Sequence, residues 1–176
     1  MNLSNPIQQI LPIGVLSQKK QFKIYHNSSN HELLQLTKIL NIEELQSFSY
    51  KGQFIRSSKT DYILHSSFKA KLVQLCVVTL RPIKTKIHHK FERLFSAVKQ
   101  IPEHKNLCFN YDAIEKELIS NELNIGDIML EALTLEIPLY PKIQGANFKG
   151  LTITKAGMKP LEVISNNPFS SLKKLR

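Results

Sequence analysis

The sequence contains no tryptophan, and its two cysteines and six glycines are widely scattered. Two thiols without framework spacing argue against a disulfide-stapled domain and indicate reduced cysteines in a cytosol-like compartment. The scattered glycines form no phosphate-cradling loop, so a P-loop or Rossmann nucleotide site is not expected. No apolar run reaches the roughly 18 residues of a membrane helix, and the opening MNLSNPIQQILPIGVLS lacks the features of a secretory signal. These absences predict a cytoplasmic protein with no membrane partner.

The charge of the chain is strongly segregated. Its 176 residues are 42% hydrophobic, enough to bury a core, and carry a net charge of +10. Residues 50–100 hold eleven basic and two acidic groups, whereas residues 101–141 hold two basic and eight acidic groups. Residues 142–176 are basic again, with seven basic groups and one acidic group. A surface charged only for solubility does not need this arrangement, which favours a polyanionic partner.

The first third of the chain predicts a strand followed by a capped helix. Alternation around Ile24 indicates a short strand over Phe22–His26. Ser29 and Glu32 have the spacing of a capping box, and leucines of helical period follow them. We therefore expect a helix over Asn30–Leu40.

From Gln46 to Phe91 the apolar period falls to two, which predicts three antiparallel strands in a meander. A turn is expected at Ser57–Asp61, and Pro82 is expected to break the ladder or mark an edge. Leu75–Leu80 is apolar on both faces and is expected to be covered on both sides. The residues expected to point inward are Phe48, Tyr50, Phe54, Tyr62, Leu64, Phe68, Ala70, Leu72, Ile83, Thr85, Ile87 and Phe91.

The acidic block predicts a loop, a short strand near Glu117–Ile119, and a largely buried helix that begins after Asn124 and ends at Pro138. The fold class is then α+β: an antiparallel meander, with barrel-like closure as a variant, packed by two main helices. Residues 1–141 are expected to form one domain. Residues 142–176 are expected to be a flexible basic tail with a short terminal helix.

No residue pattern predicts an active site, a cofactor or a metal. Cys76 has inward parity, which predicts an ordinary buried thiol. A catalytic cysteine would need a nearby base, and of the nearest histidines, His88 and His89, only His89 has the same parity. The chain has no C-x-x-C pair of the kind that begins a zinc site. The acidic pairs of residues 101–141 are explained by the local excess of carboxylates. We therefore expect a protein that is not an enzyme and has no small-molecule substrate.

Cations on the outward parity of the last two strands are the strongest functional signal. Rows of like charge across a sheet are destabilising, and a phosphate backbone laid over them would neutralise them. The alternative is a solvated edge, since lysine also protects edge strands against aggregation. Few aromatic residues are expected on this face, so we expect contact with folded RNA rather than base stacking. The candidate nucleic-acid-binding residues are Lys69, Lys71, Arg81, Lys84, Lys86, His88 and Lys90.

Four segments in order resemble the YceD family of large ribosomal RNA subunit accumulation proteins: QLCVVTLRPI, FERLF, LNIGDIMLEALTLEIPLYP and the terminal NPFSSLKKL. The resemblance implies a non-enzymatic bacterial ribosome-biogenesis factor, with relatives in plastids. It also implies structural roles for Cys76, Pro82, Gly126 and Asp127. Some members carry a C-x-x-C pair whose first position is matched by Cys76. Thr79 stands at the second position, and Arg81 stands where a common form has Glu.

The terminal NPFSSLKKLR suggests a partner-binding helix. Phe169 and Leu172 are apolar anchors one helical turn apart, followed by Lys173 and Lys174. Asn167 and Pro168 favour a turn before them. Folding on binding and docking back on the same domain are equally compatible with this pattern. Two functions stay open: binding ribosomal RNA or a pre-ribosomal particle, or an adaptor that holds a ribosomal protein or other acidic partner.

Overall fold

The structure is a computed structural model that describes residues 5–98, 116–119 and 121–147. By contacts the chain divides into Met1–Gln144 and Gly145–Arg176, and all the helices and strands named here belong to the first unit. The strands are β1 (Ile10–Pro12), β2 (Gln21–Asn27), β3 (Glu44–Arg56), β4 (Asp61–Leu75), β5 (Pro82–Ala97), β6 (Lys116–Ile119) and β7 (Glu122–Asn124). The helices are α1 (Ile13–Gln18), α2 (Asn30–Leu40) and α3 (Ile125–Glu136).

Five strands form one curled sheet in the order β2-β3-β4-β5-β6, and β1 pairs separately with β7. The predicted α+β class is confirmed. The three long strands β3, β4 and β5 form the predicted antiparallel meander. Two features differ from the sequence expectation: β6 joins β5 in parallel, and the N-terminal residues add β1 and α1.

Helix α2 begins where the capping box predicts. The Ser29 side chain accepts from the Glu32 amide, and the Glu32 carboxylate accepts from the Ser29 amide at 2.6 Å. Burial raises the pKa of Glu32, but the hydrogen bonds from Ser29 and the charge of nearby His26 outweigh it, so the pKa is lowered. The helix ends at Asn41, whose positive φ of 50° is tolerated by asparagine.

The core lies on the inward face of the sheet, against the helices. Large aromatic side chains of β3 and β4 are almost completely buried there, as their parity predicts. The inward residues of β5 are less well covered: Ile83, Thr85, Ile87 and Phe91 are only half-buried. Phe68 lies at the centre of this layer, 6.0 Å from the Phe48 ring and 6.4 Å from the Phe91 ring.

The expectation for Leu75–Leu80 was wrong. This segment contains the end of β4 and most of a hairpin loop, in which Val77 is 52% and Leu80 is 72% exposed. The loop closes through hydrogen bonds from the Cys76 amide to the Arg81 carbonyl and from the Leu80 amide to the Cys76 carbonyl. Apolar side chains alone cannot distinguish a doubly covered strand end from an exposed apolar loop.

Candidate nucleic-acid interface

The β4–β5 hairpin places the predicted lysines on one face of the sheet. Directly opposite residues on antiparallel strands point to the same side, and here Lys69 lies opposite His88 while Lys71 lies opposite Lys86. Lys84 and Lys90 have the same parity as Lys86 on β5 and lie opposite Val73 and Ser67. All of these cations are exposed. We call this surface the polar face.

Strands β2 and β3 extend the polar face with residues that the sequence analysis did not name as site residues. Lys51 lies opposite Ser67 of β4, and on its other side it lies opposite Tyr25 of β2. Lys23 lies opposite Gln53, which in turn lies opposite His65. The alternation of Lys23 and Tyr25 was visible in the sequence, but helix α2 separates β2 from β3, so their pairing was not evident from spacing.

The described carboxylates close to β5 mostly bind side chains of the inward parity. Arg93 contacts Glu117 at 3.1 Å and Glu131 at 2.9 Å, and His89 contacts Glu136 at 3.1 Å. The hydrogen bond that Arg93 donates to Glu131 raises the pKa of Arg93 and outweighs the effect of partial burial, and Arg93 in return lowers the pKa of Glu131. These contacts attach β6 and α3 to β5 and leave the polar face to its lysines.

On the polar face itself, one histidine–carboxylate contact lies beside the lysines. His65 Nδ1 lies 3.0 Å from the carboxylate of Glu92. Within residues 5–98, 116–119 and 121–147, Lys69, Lys71, Lys84, Lys86 and Lys90 form no salt bridge. Their charges are therefore not neutralised by the part of the acidic block that the structure describes.

Arg81 and Pro82 lie where the hairpin loop returns to the sheet. Pro82 is the first residue of β5, opposite Leu75, a position where its missing amide donor is tolerated. Arg81 is exposed in the loop just before it. Since Arg81 lies outside the ladder, strand parity does not orient its side chain toward the polar face.

Cys76 is a free, buried thiol at the base of this loop. Burial raises its pKa, but hydrogen bonds from the Thr79 hydroxyl and from the amides of Ile143, Thr79 and Val78 outweigh it and lower the pKa to about 7. His89 lies seven positions along β5 from Pro82, about 23 Å of strand away. That distance rules out His89 as a base for this thiol. In the described part of the chain, no three His, Cys, Asp or Glu side chains converge on a common point.

Gly126 and Asp127 fix the beginning of α3. Asn124 caps the helix by accepting from the Gly126 amide at 3.1 Å, and the Asp127 carboxylate accepts from the side chains of Asn5 and Asn124, each at 2.8 Å. A Cβ at Gly126 would lie 1.9 Å from the carbonyl oxygen of Ile7. The two residues thus hold the N-terminal segment against α3.

The terminal candidates Asn167, Pro168, Phe169, Leu172, Lys173 and Lys174 lie outside the described residues. Among the helices that the structure describes, none combines the length and apolar character needed to cross a bilayer.

Comparison with known proteins gives one match. No curated protein and no solved structure matches the chain. A family model described as "Large ribosomal RNA subunit accumulation protein YceD" matches residues 64–176, which begin within β4 and include the lysine-bearing hairpin and α3. The match covers well over half of the sequence and agrees with the resemblance carried by the cysteine loop and α3. The chain belongs to the YceD family of large ribosomal RNA subunit accumulation proteins.

Proposed function

We propose that this protein binds ribosomal RNA of the large subunit, or a pre-ribosomal particle that contains it, through the polar face. It acts in the cytoplasm as a non-enzymatic assembly factor that stabilises an RNA intermediate. The observation that carries the proposal is the alignment of Lys69, Lys71, Lys84, Lys86 and Lys90 on one face without carboxylate partners in the described chain. His88, which lies opposite Lys69, contributes to the same contact, and Arg81 contributes from the hairpin loop.

The energetics of the face favour a polyanion. Lys71 and Lys86 lie directly opposite each other, an arrangement that destabilises a sheet by a few tenths of a kcal/mol. Phosphates placed between such side chains remove the repulsion and release condensed counterions, which makes binding strongly salt-dependent. Phosphate contacts of this kind position an RNA without reading its sequence. Binding to RNA shape and backbone is thus the mode that the face supports.

The double variant Lys84→Glu/Lys86→Glu tests the proposal. We expect it to bind a structured fragment of large-subunit ribosomal RNA at least about tenfold more weakly than the wild type at low salt. The slope of log K against log salt is expected to become shallower by about two, one for each lost phosphate contact. Fluorescence anisotropy titrations over a range of potassium chloride concentrations measure both quantities.

A matched control is Lys20→Glu/Lys59→Glu, which makes the same charge change at exposed lysines that lie outside β4 and β5. This control should keep most of the affinity and nearly the wild-type slope. Loss of folding would not explain weaker RNA binding by Lys84→Glu/Lys86→Glu. The new glutamate at position 86 lies opposite Lys71 and should raise the free energy of unfolding by about 0.5 kcal/mol. Equal affinities for the two double variants would contradict the proposal.

An adaptor role is the second candidate, and one observation favours it. The hairpin loop and the segment after α3 contact each other through a hydrogen bond from the Val77 amide to the Pro141 carbonyl, at 2.9 Å. Both carry exposed apolar side chains: Leu80 is 72%, Leu139 is 84% and Tyr140 is 81% exposed. Such a patch fits the apolar centre of a protein interface.

The adaptor hypothesis predicts that a large-subunit ribosomal protein stays bound after ribonuclease treatment. In that case Leu80→Glu/Leu139→Glu, or deletion of residues 167–176, should reduce co-purification of that protein by more than about tenfold, because a buried charge or a lost anchor disrupts an apolar interface. Lys84→Glu/Lys86→Glu should leave it unchanged. Co-purification that disappears with ribonuclease would instead place the contact on RNA and reject the adaptor role.

A further inference from the structure

The polar face contains a groove that crosses four strands. It has a volume of about 850 Å³ and is lined by three successive cross-strand rows of β2, β3, β4 and β5. The central row includes Gly52 and Ser66, which lie opposite each other. Both have the inward parity of Phe54 and Phe68, so it is their backbone that faces the groove. Inward residues of the next rows, such as Phe54 and Phe68, do not line the groove. The groove therefore opens on the polar face and not into the core.

One wall of the groove combines an aromatic ring with two ammonium groups. Tyr25, Lys51, Ser67 and Lys90 follow one another across the four strands. Tyr25 is 69% exposed although it lies on a strand, and its ring has no aromatic partner among the described residues. Neighbouring strands are about 4.8 Å apart, so Lys51 lies directly beside the tyrosine and Lys90 lies two strands further on.

The opposite wall supplies hydrogen-bonding groups. The Gln53 side chain is uncharged and donates to Gln21 at 3.0 Å, while His65 pairs with Glu92 at 3.0 Å. Lys23 adds a cation at the edge. With three lysines and one glutamate in its lining, the groove carries a formal charge of +2 with His65 neutral. Its lining thus offers amide, imidazole and carboxylate groups of the kind that contact base edges.

We propose that this groove binds an unpaired nucleotide of the RNA, with the base stacked on Tyr25 and the adjoining phosphates on Lys51 and Lys90. The inference rests on the proposed function and specifies its ligand. A continuous duplex keeps its base faces stacked inside and would leave the tyrosine ring unused. An acidic peptide would satisfy the lysines but not the ring. A nucleotide in a bulge, loop or end presents both a π-face and a phosphate.

The sequence pattern predicted few aromatic residues on the lysine face, which argued against stacking. The structure brings Tyr25 to that face through the pairing of β2 with β3. Since β2 is the edge strand of the sheet, the ring is reached from the side as well as from above. Edge placement suits a site that must admit a nucleotide protruding from a folded RNA.

The test compares two RNA hairpins of equal length, one fully paired and one with a single-nucleotide bulge, by anisotropy titration. Wild-type protein should prefer the bulged hairpin by about tenfold, the contribution expected of one stacked base. Tyr25→Ala should abolish the preference, while Tyr25→Phe should keep it because the ring is retained. Tyr140→Ala, which removes a tyrosine that is 81% exposed elsewhere, is the matched control and should keep the preference.

The outcomes separate this inference from the function on which it rests. Equal, salt-dependent binding of both hairpins by the wild type would overturn the nucleotide site and keep the proposed function. A bulge preference that survives in Tyr25→Ala would also overturn the site. Polyglutamate can also be used as a competitor. If it displaces both hairpins with equal potency from the wild type and from Tyr25→Ala, the polar face is a general anion surface and stacking is again rejected. Failure of the wild type to bind either hairpin would contradict the proposed function itself.

Discussion

Replacing Gly126 with alanine is expected to lower the free energy of unfolding by about 3 kcal/mol or more, the upper part of the range for overpacking a core. The new Cβ would lie 1.9 Å from the carbonyl oxygen of Ile7. That oxygen belongs to backbone and cannot turn aside as a flexible side chain would. The segment is also held in place, because the Ile7 side chain is 1% exposed and the Ile125 amide donates to the Gln9 carbonyl at 2.9 Å.

Gly14→Ala is the matched control for this prediction. Gly14 lies in α1, and a Cβ added there would have nothing within 4 Å. Alanine at this position should therefore be neutral or stabilise by about 0.5 kcal/mol through helix propensity. Urea denaturation followed by circular dichroism measures both variants. Nearly equal midpoints for Gly126→Ala and the wild type would show that the N-terminal segment does not pack on α3 as described.

Truncation of Phe68 to alanine should cost about 3 to 5 kcal/mol, the range for removing a large aromatic side chain from a well-packed core. Phe68 is 1% exposed and lies within 6.4 Å of the rings of Phe48, His89 and Phe91. Phe68 lies on β4, which is flanked by β3 and β5. The cavity would therefore weaken the packing on both neighbouring strands. Thermal and urea unfolding should both report the loss.

The control Phe22→Ala removes the same side chain from a half-buried position near Lys19 and should cost about half as much. Phe68 points away from the polar face, so the proposed phosphate contacts of the lysines should be retained in the folded Phe68→Ala protein. Its affinity for RNA should therefore be within about twofold of the wild-type affinity. Equal stability losses for the two variants would contradict the burial difference. A large loss of RNA affinity in the folded protein would contradict the separation of core and interface.

Local patterns in the sequence predicted the elements that depend on neighbouring residues. The Ser29–Glu32 capping box located the first residue of α2, because cap and carboxylate satisfy each other's backbone amides within one turn. The period of two on β4 separated Phe68 from Lys69, because strand parity is a local geometric property. The same parity predicted that Lys84, Lys86 and Lys90 share one face with Lys69 and Lys71, and the strand pairing puts them there.

Features that depend on distant contacts were not predictable in this way. The parallel pairing of β6 with β5 joins residues separated by 22 positions in the chain, and no local signal specifies its direction. The exposure of Leu80 depends on the loop that its positive φ of 56° helps to form. Tyr25 was assigned to a strand correctly, but its place beside Lys51 follows from sheet order, which one sequence does not reveal.

The opposed pair Lys71–Lys86 has a consequence for selectivity. In the proposed complex, any nucleic acid would relieve the repulsion between these two ammonium groups. That relief alone would not distinguish the correct transcript from an abundant wrong one. Discrimination must come from features that add little to total affinity but are rare among competitors. The exposed ring of Tyr25 on the edge strand is suited to that task, and in the proposed complex the lysines would set how long any RNA stays near it.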